Sequence, residues 1–258
     1  MNILLTIAVT FFAGMGAGLG TGFAGMSAAA VISPMLITFL KMDPYMAIGI
    51  ALSSDVLASA VSAYIYGKNK NLDIKNGIIM MISVLTFTVV GSYIASLLPA
   101  ATMGSFSVFM TFLLGIKFIV RPVMTTKEAM QGVSAKKRAI QSVVCGIMIG
   151  LICGFVGAGG GMMMLLILTS VLGYELKTAV GTSVFIMAFT AFTGAVSHFM
   201  IVGAPDWTVF ILCVVFTLIW ARIAARFANI ATPETLNRAT GVILVILGIV
   251  VLGFSMLS

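Results

Sequence analysis

Ten apolar runs occupy most of this 258-residue chain, at lengths close to what a lipid bilayer demands. A hydrocarbon core of ~30 Å takes about 20 helical residues to cross. With 61% hydrophobic and only 8% charged residues, the chain does not fit a water-soluble fold, whose surface needs far more charge. The runs also lack the alternation of a membrane β-barrel, so we predict an all-α polytopic membrane protein. They cover residues 2–22, 24–40, 44–66, 77–98, 100–120, 139–157, 159–173, 177–202, 207–229 and 236–257.

A motif in the first run recurs in the sixth. GLGTGFAG at residues 18–25 returns as GLICGFVG at residues 150–157, which is 132 positions later. Five runs precede the longest hydrophilic stretch and five follow it. We therefore predict two transmembrane repeats of five segments each, 1–121 and 139–258, joined by a basic cytoplasmic linker at 122–138.

Basic residues predict how these segments cross the membrane. If all ten cross, the linker, the loop of Lys68 to Lys75 and the region of Arg222 to Arg238 lie on one side. If the short second and seventh segments turned back, the linker and Arg222 to Arg238 would lie on opposite sides, which the positive-inside rule disfavours. We expect ten crossings in the cell (inner or plasma) membrane, with cytoplasmic basic loops, both termini outside and segments 2 and 7 short or broken. Because five is odd, the second repeat is expected to be inverted.

The charges and the cysteines of the chain limit which ligands and partners we expect it to bind. The net charge of +7 lies mostly in the predicted cytoplasmic loops, where it faces anionic lipid, so no nucleic acid is implied. Three scattered cysteines and a single histidine fit neither a disulfide framework nor a zinc site. We predict no cofactor and no metal, and leave a homo-oligomer open. The first run lacks a basic leader and carries the repeated motif, so we expect it in the mature protein.

The second repeat carries a dense glycine run in mid-membrane, which allows a helix to break and its amide N–H groups to point inward. Amides at a helix start bind anions, and hydroxyl groups nearby add donors. Close packing of helices is the alternative interpretation, and for the glycines of the repeated motif, Gly18, Gly22, Gly150 and Gly154, it is preferred. The candidate ligands of an anion are Gly157, Gly159, Gly160, Gly161, Thr182 and Ser183, with Ser27 and Ser53 from the first repeat.

Asp55 lies in the middle of the third segment, where an ionised carboxylate costs roughly 2.5–3.5 kcal/mol on insertion scales. We interpret Asp55 as a proton or cation relay, the alternative being a protonated acid bonded to a neighbouring helix. His198, near the outer end of segment eight, is a second candidate for the relay or else an interfacial histidine. Tyr64, Tyr66 and Trp207 are expected to be anchors at the membrane interface.

The stretch GFVGAGGG at 154–161, followed by AVGTS at 179–183 and preceded by a degenerate copy, resembles the TauE/SafE sulfite exporter family. The resemblance covers essentially the whole chain. It implies a membrane carrier whose substrate is a small sulfur-containing oxyanion, such as sulfite or a small organosulfonate. The first repeat departs from the motif, since Gly25-Met26-Ser27-Ala28 replaces the glycine run and Gly49-Ile50-Ala51 replaces GTS.

The sequence thus predicts a secondary transporter that works by alternating access, with coupling to protons or cations through Asp55. An anion channel is an alternative within the same class. An intramembrane enzyme is a second alternative, although one histidine and one central aspartate are little material for catalysis. A membrane subunit that transports nothing is a third, and a dry, fully packed repeat interface would favour it.

Overall fold

The computed structural model describes residues 3–96, 116–126, 134–156 and 160–257, and all regular structure in these ranges is α-helical. One helix corresponds to each predicted segment, although most of the fifth segment lies outside the described residues. The prediction of an all-α protein is confirmed. The helices are α1 (Ile3–Ala24), α2 (Ala29–Leu40), α3 (Pro44–Lys68), α4 (Ile74–Ser96), α5 (116–120), α6 (Ala135–Val156), α7 (Gly160–Ser170), α8 (Leu176–Val202), α9 (Trp207–Ile230) and α10 (Pro233–Leu257).

Six of the described helices are long and apolar enough to cross a membrane, namely α1, α3, α4, α8, α9 and α10. Helices α2 and α7 have 12 and 11 residues. At 1.5 Å per residue they are about 18 and 16 Å long, well short of a ~30 Å hydrocarbon core. Segments 2 and 7 are therefore short, while the count of ten crossings stays a prediction.

Helix α3 has the polar interior and apolar exterior that a lipid environment favours. Tyr64 and Leu57 are 70% and 48% exposed. The polar side chains on the opposite side of the helix point into the protein, where they are shielded from lipid. The buried polar residues of α3 are Ser54, Asp55, Ser59 and Ser62.

Helix α1 packs against α9 through glycines that leave no space between the two backbones. A Cβ built on Gly18 would lie 2.6 Å from the carbonyl oxygen of Thr217 and 2.7 Å from the nitrogen of Ala221. A Cβ on Gly22 would lie 2.8 Å from the carbonyl oxygen of Ala221. Small residues of this kind allow helices in a membrane to approach closely. The packing interpretation of Gly18 and Gly22 is supported.

Helix α4 packs against α6 in the same manner. A Cβ on Gly150 would lie 2.7 Å from the carbonyl oxygen of Val84, and one on Gly146 would lie 2.9 Å from that of Met80. The third extensive helix pair is α3 with α8. These three pairs join elements from the two halves of the chain, so the halves are intertwined.

Aspartate side chains cap the starts of two helices. Asp43 precedes Pro44, and its Oδ1 accepts a hydrogen bond from the Met46 nitrogen at 3.1 Å, which caps α3. Asp206 caps α9 by accepting from the backbone nitrogens of Thr208 and Val209 at 3.0 and 3.2 Å. A capping oxygen satisfies N–H groups that have no partner within the helix. These caps fix where α3 and α9 enter the bundle.

Candidate functional site

Helix α1 ends inside the protein at Ala24, and the chain reaches α2 through residues 25–28. Gly25 has a φ of +59°, the left-handed region that side chains with a Cβ disfavour. A Cβ at this position would also lie 2.7 Å from the hydroxyl oxygen of Ser183 on α8. Glycine is therefore required here both by the backbone turn and by the approach of α8.

Hydroxyl groups from three other helices satisfy the carbonyls at this break. The last carbonyl groups of a helix have no hydrogen-bond partner within that helix. Inside a membrane protein, water is not freely available as a substitute partner. The donors come from α3, α10 and α8, so the end of α1 is held from three sides. The bonds run from Tyr66 Oη to the Gly22 oxygen at 2.8 Å, from Thr240 Oγ1 to the Phe23 oxygen at 3.2 Å and from Ser183 Oγ to the Gly25 oxygen at 3.2 Å.

Asp55 of α3 faces the start of α2. Its Oδ2 accepts a hydrogen bond from Ser27 Oγ at 2.7 Å, and its Oδ1 accepts one from Ser59 Oγ at 2.8 Å. The backbone N–H of Ala28 donates to the same carboxylate. The Ser27 oxygen in turn accepts from the Ala29 nitrogen at 3.3 Å, so Ser27 also binds the first N–H group of α2. An acidic group is favoured at a helix start, and Asp55 fills that position at α2.

The start of α7 meets the break between α1 and α2. A Cβ on Gly161 would lie 2.5 Å from the Gly25 carbonyl oxygen and would overlap the sulfur of Met187 on α8. Met187 stands 132 positions after Asp55 in the sequence. A thioether therefore lies beside the start of α7, whereas a carboxylate lies beside the start of α2. Of the predicted glycine ligands, Gly160 and Gly161 open α7, and Gly157 and Gly159 lie outside the described residues.

The four predicted hydroxyl ligands divide into two groups. Ser27 and Ser183 lie at the break, where they bond to Asp55 and to the Gly25 carbonyl. Ser53 donates at 2.9 Å to the carbonyl of Gly49 within its own helix. Thr182 is buried against the loop that follows α3, where its Oγ1 accepts from the Asp73 nitrogen at 3.2 Å. The structure therefore brings two of the four hydroxyls to the break.

All three serine hydroxyls donate to acceptors of the protein itself. The hydrogen of Ser27 goes to a carboxylate, and those of Ser53 and Ser183 go to backbone carbonyls. A hydroxyl has one hydrogen to donate but two lone pairs that accept. In this conformation these serines offer acceptors rather than donors, so an arriving anion must rely on amides or make a hydroxyl change partner.

His198 lies near the C-terminal end of α8, away from these contacts. Its ring lies 5.7 Å from that of Tyr45, and its Cβ is 3.3 Å from where a Cβ of Gly49 would be. Gly49 precedes Asp55 by six residues, about 9 Å along the axis of α3. The structure does not bring His198 into the hydrogen-bonding partners described for Asp55.

Sequence reasoning missed three residues of the break. Ser59 is four residues after Asp55 and therefore on the same helix face, a signal that the sequence does contain. Tyr66 was expected at the membrane interface, and this is wrong, since the side chain is fully buried and bonds to α1. Tyr64, by contrast, is largely exposed. No local pattern points to Thr240, because its partner Phe23 is 217 residues away.

Comparison with known proteins gives a family and two relatives. The family model described as "Sulfite exporter TauE/SafE" matches residues 10–251. The chain is 24% identical over 244 residues to the "Probable membrane transporter protein YunE" of Bacillus subtilis (strain 168), covering 90% of this chain and 89% of that protein. It is also 24% identical over 226 residues to the "Probable membrane transporter protein YdhB" of the same strain, covering 86% and 90%. No solved structure matches the chain.

Proposed function

We propose that this chain, which belongs to the sulfite exporter TauE/SafE family, is a secondary transporter that moves a small sulfur-containing oxyanion by alternating access. The family is one of multi-pass membrane transporters and not of enzymes, so a small substrate and the bilayer are its partners. The observation that carries the proposal is the contact between Gly25 and Gly161, where the described part of α7 meets the break between α1 and α2, next to buried Asp55. Secondary transporters bind substrates and coupling ions at breaks in their membrane helices.

Inverted repeats are part of the proposal, with boundaries at 1–121, 122–138 and 139–258. Helix α1 (Ile3–Ala24) and α6 (Ala135–Val156) are offset by 132 residues at both ends, the spacing of the repeated motif. The same offset relates α4 to α9, apart from a residue or two at the ends. Each helix of the α1–α9 pair therefore has its counterpart in the α6–α4 pair, with α6 corresponding to α1 and α4 corresponding to α9. This correspondence supports two equivalent halves, and the distribution of basic residues is the argument for an inverted second half and for cytoplasmic basic loops.

The start of α7 is the proposed place for the oxyanion. The first four N–H groups of a helix have no partner within it, and the helix dipole favours negative charge there. At α2 the equivalent position is taken by the carboxylate of Asp55, whereas at α7 Met187 supplies no charge. The proposed ligands are the amides of Gly157, Gly159, Gly160 and Gly161, with the hydroxyls of Ser183, Thr182, Ser27 and Ser53 after a change of partner.

Asp55 is the proposed coupling group. As a carboxylate it accepts from the Ser27 hydroxyl, the Ser59 hydroxyl and the Ala28 amide. A protonated Asp55 would itself donate one hydrogen bond, so one hydroxyl would have to reverse. Because Ser27 also binds the first N–H group of α2, such a reversal loosens the start of that helix. His198 is the proposed second protonation site, nearer the outer end of α8.

Transport in liposomes tests this function. Purified protein is reconstituted, and uptake of sulfite and of small sulfonates is measured with and without a pH gradient. We expect uptake that is accelerated by the same anion on the opposite side, since a carrier returns faster when loaded. A channel shows no such trans-stimulation, and absence of flux for every small sulfur oxyanion would refute the proposed function.

The coupling role is tested with Asp55→Asn, which keeps the shape of the side chain and removes its charge. We expect the dependence of uptake on the pH gradient to disappear. The matched control is Asp43→Asn, the same replacement at an exposed cap of the same helix, where asparagine also caps. Unchanged coupling in Asp55→Asn would leave Asp55 as a structural anion at the start of α2.

A further inference from the structure

The loop at residues 69–73 ends in a cluster of charged and polar side chains contributed by both halves of the chain. Asp73 Oδ2 accepts hydrogen bonds from Tyr174 Oη at 2.8 Å and from Asn76 Nδ2 at 2.7 Å. Arg138 Nη1 lies 3.9 Å from the same oxygen, which makes an ion pair. Asp73 and Asn76 belong to the first half, and Arg138 and Tyr174 belong to the second.

This cluster is largely shielded from solvent. The side chains of Arg138 and Asp73 are only 13% and 16% exposed, and the guanidinium lies 5.6 Å from the centre of the Tyr174 ring. Burial, followed by the nearby Asp73 carboxylate, raises the pKa of Tyr174, so the phenol remains a hydrogen-bond donor. A shielded ion pair is screened by salt much less than one on an open surface.

The preceding part of the loop also contacts the second half, through its backbone and through the side chain of Asn71. The Asp73 nitrogen donates to Thr182 Oγ1 at 3.2 Å, and Asn71 Nδ2 donates to Asn229 Oδ1 at 2.6 Å. The carbonyl oxygen of Asn71 lies so close to Gly181 that no side chain fits between them. Three elements of the second half, α6, α8 and α9, thus hold one short loop of the first half.

The opposite ends of the same helices meet through different chemistry. The end of α3 and the start of α8 flank the cluster, so the start of α3 and the end of α8 lie at the far face. There the ring of Tyr45 lies 5.7 Å from His198, and a Cβ on Gly49 would lie 3.0 Å from the ring of Phe199. The cluster has no equivalent under the 132-residue offset, which pairs Asp73 with Pro205, Tyr174 with Met42 and Arg138 with Thr6.

We propose that Asp73, Arg138 and Tyr174 form a one-sided polar latch that keeps the two halves closed on this face and opens once in each transport cycle. The inference rests on the proposed function, because alternating access requires the halves to separate on each face in turn. A latch on one face alone biases the resting population toward the conformation closed there. Weakening it shifts that population toward the open conformation.

Thiol labelling of purified protein in detergent tests the latch without any substrate. The reporter is Thr178→Cys, a buried position one turn before Thr182 on the face of α8 that contacts the loop, in a background from which Cys145, Cys153 and Cys213 are removed. We expect Asp73→Asn and Tyr174→Phe each to raise the maleimide labelling rate about two- to tenfold, the shift that losing one hydrogen bond of ordinary strength produces. Asparagine keeps the oxygen that caps α4.

The control is Lys137→Gln, which removes an exposed charge next to Arg138 and is expected to leave the labelling rate unchanged. Asp73→Arg combined with Arg138→Asp is expected to label more slowly than either single variant, which a simple folding defect would not produce. Equal labelling of Asp73→Asn, Tyr174→Phe and the parent would overturn the latch. Because labelling needs no transported anion, this result is independent of whether the liposome assay detects flux.

Discussion

Gly18→Ala tests the idea that the repeated glycines serve helix packing. The added Cβ would lie 2.6 Å from the Thr217 oxygen and 2.7 Å from the Ala221 nitrogen, where ordinary contacts begin at 3.4 Å. Both obstacles are backbone atoms, so α1 and α9 must separate by about 0.7–0.8 Å over their contact. Overpacking of this kind costs about 1–3 kcal/mol.

Gly16→Ala is the matched control on the same helix. Its Cβ would meet only side-chain ends, Leu247 Cδ2 at 3.1 Å and Val31 Cγ1 at 3.2 Å, which can move. Both variants gain about 1 kcal/mol of helix propensity, so this term cancels between them. A net difference of about 2 kcal/mol corresponds to roughly 4–8 °C in the melting temperature of a chain of this size.

A thiol-reactive dye reports the unfolding. Cys213 is buried on α9, so separation of α9 from α1 exposes it to the dye during heating. We expect Gly18→Ala to melt several degrees below Gly16→Ala. Equal melting temperatures would refute the argument, because the close backbone contact would then contribute nothing that an added methyl disturbs.

Two further substitutions probe the break between α1 and α2. Gly25→Ala is expected to lose about 1–2 kcal/mol of stability from the left-handed backbone, and more from a collision with Ser183. Gly173→Ala has a φ of +64° and nothing within 4 Å, so it loses only the backbone contribution. The melting temperature of Gly25→Ala is therefore expected to be the lower, and equality would exclude the collision. Tyr66→Phe leaves the Gly22 carbonyl without its donor and costs about 1–3 kcal/mol, while Tyr64→Phe at an exposed site is nearly neutral. A thermal scan of both tyrosine variants checks this, and a neutral Tyr66→Phe would mean that another donor reaches the carbonyl.

The sequence predicts helices better than it predicts contacts between them. Apolar runs set the positions of the helices, and Gly25 marks the first break because only glycine adopts that turn without strain. Asp55 stands out because a carboxylate is costly in the middle of an apolar run. These features are local, so the residues alone reveal them.

The sequence does not predict which residues on other helices a side chain will contact. Ser53 is two residues before Asp55 and so about 200° away around the helix, while Ser59, four residues after it, is only about 40° away. Adjacency in sequence therefore favoured Ser53, whereas the helix face selects Ser59, which bonds to the carboxylate. Tyr66 and Thr240 bond to α1 across 44 and 217 residues, and no pattern within one helix encodes that approach.

The fit between α1 and α9 also constrains how the protein is made. Gly18 precedes Ala221 by more than 200 residues, a stretch that a ribosome takes about 10–40 s to synthesise. Throughout that interval the glycine face of α1 lacks the helix that will cover it. In the same way, the face of α4 that contacts α6 stays uncovered until α6 has been made. The contact between α1 and α9 can therefore form only late in synthesis, after α9 has been made.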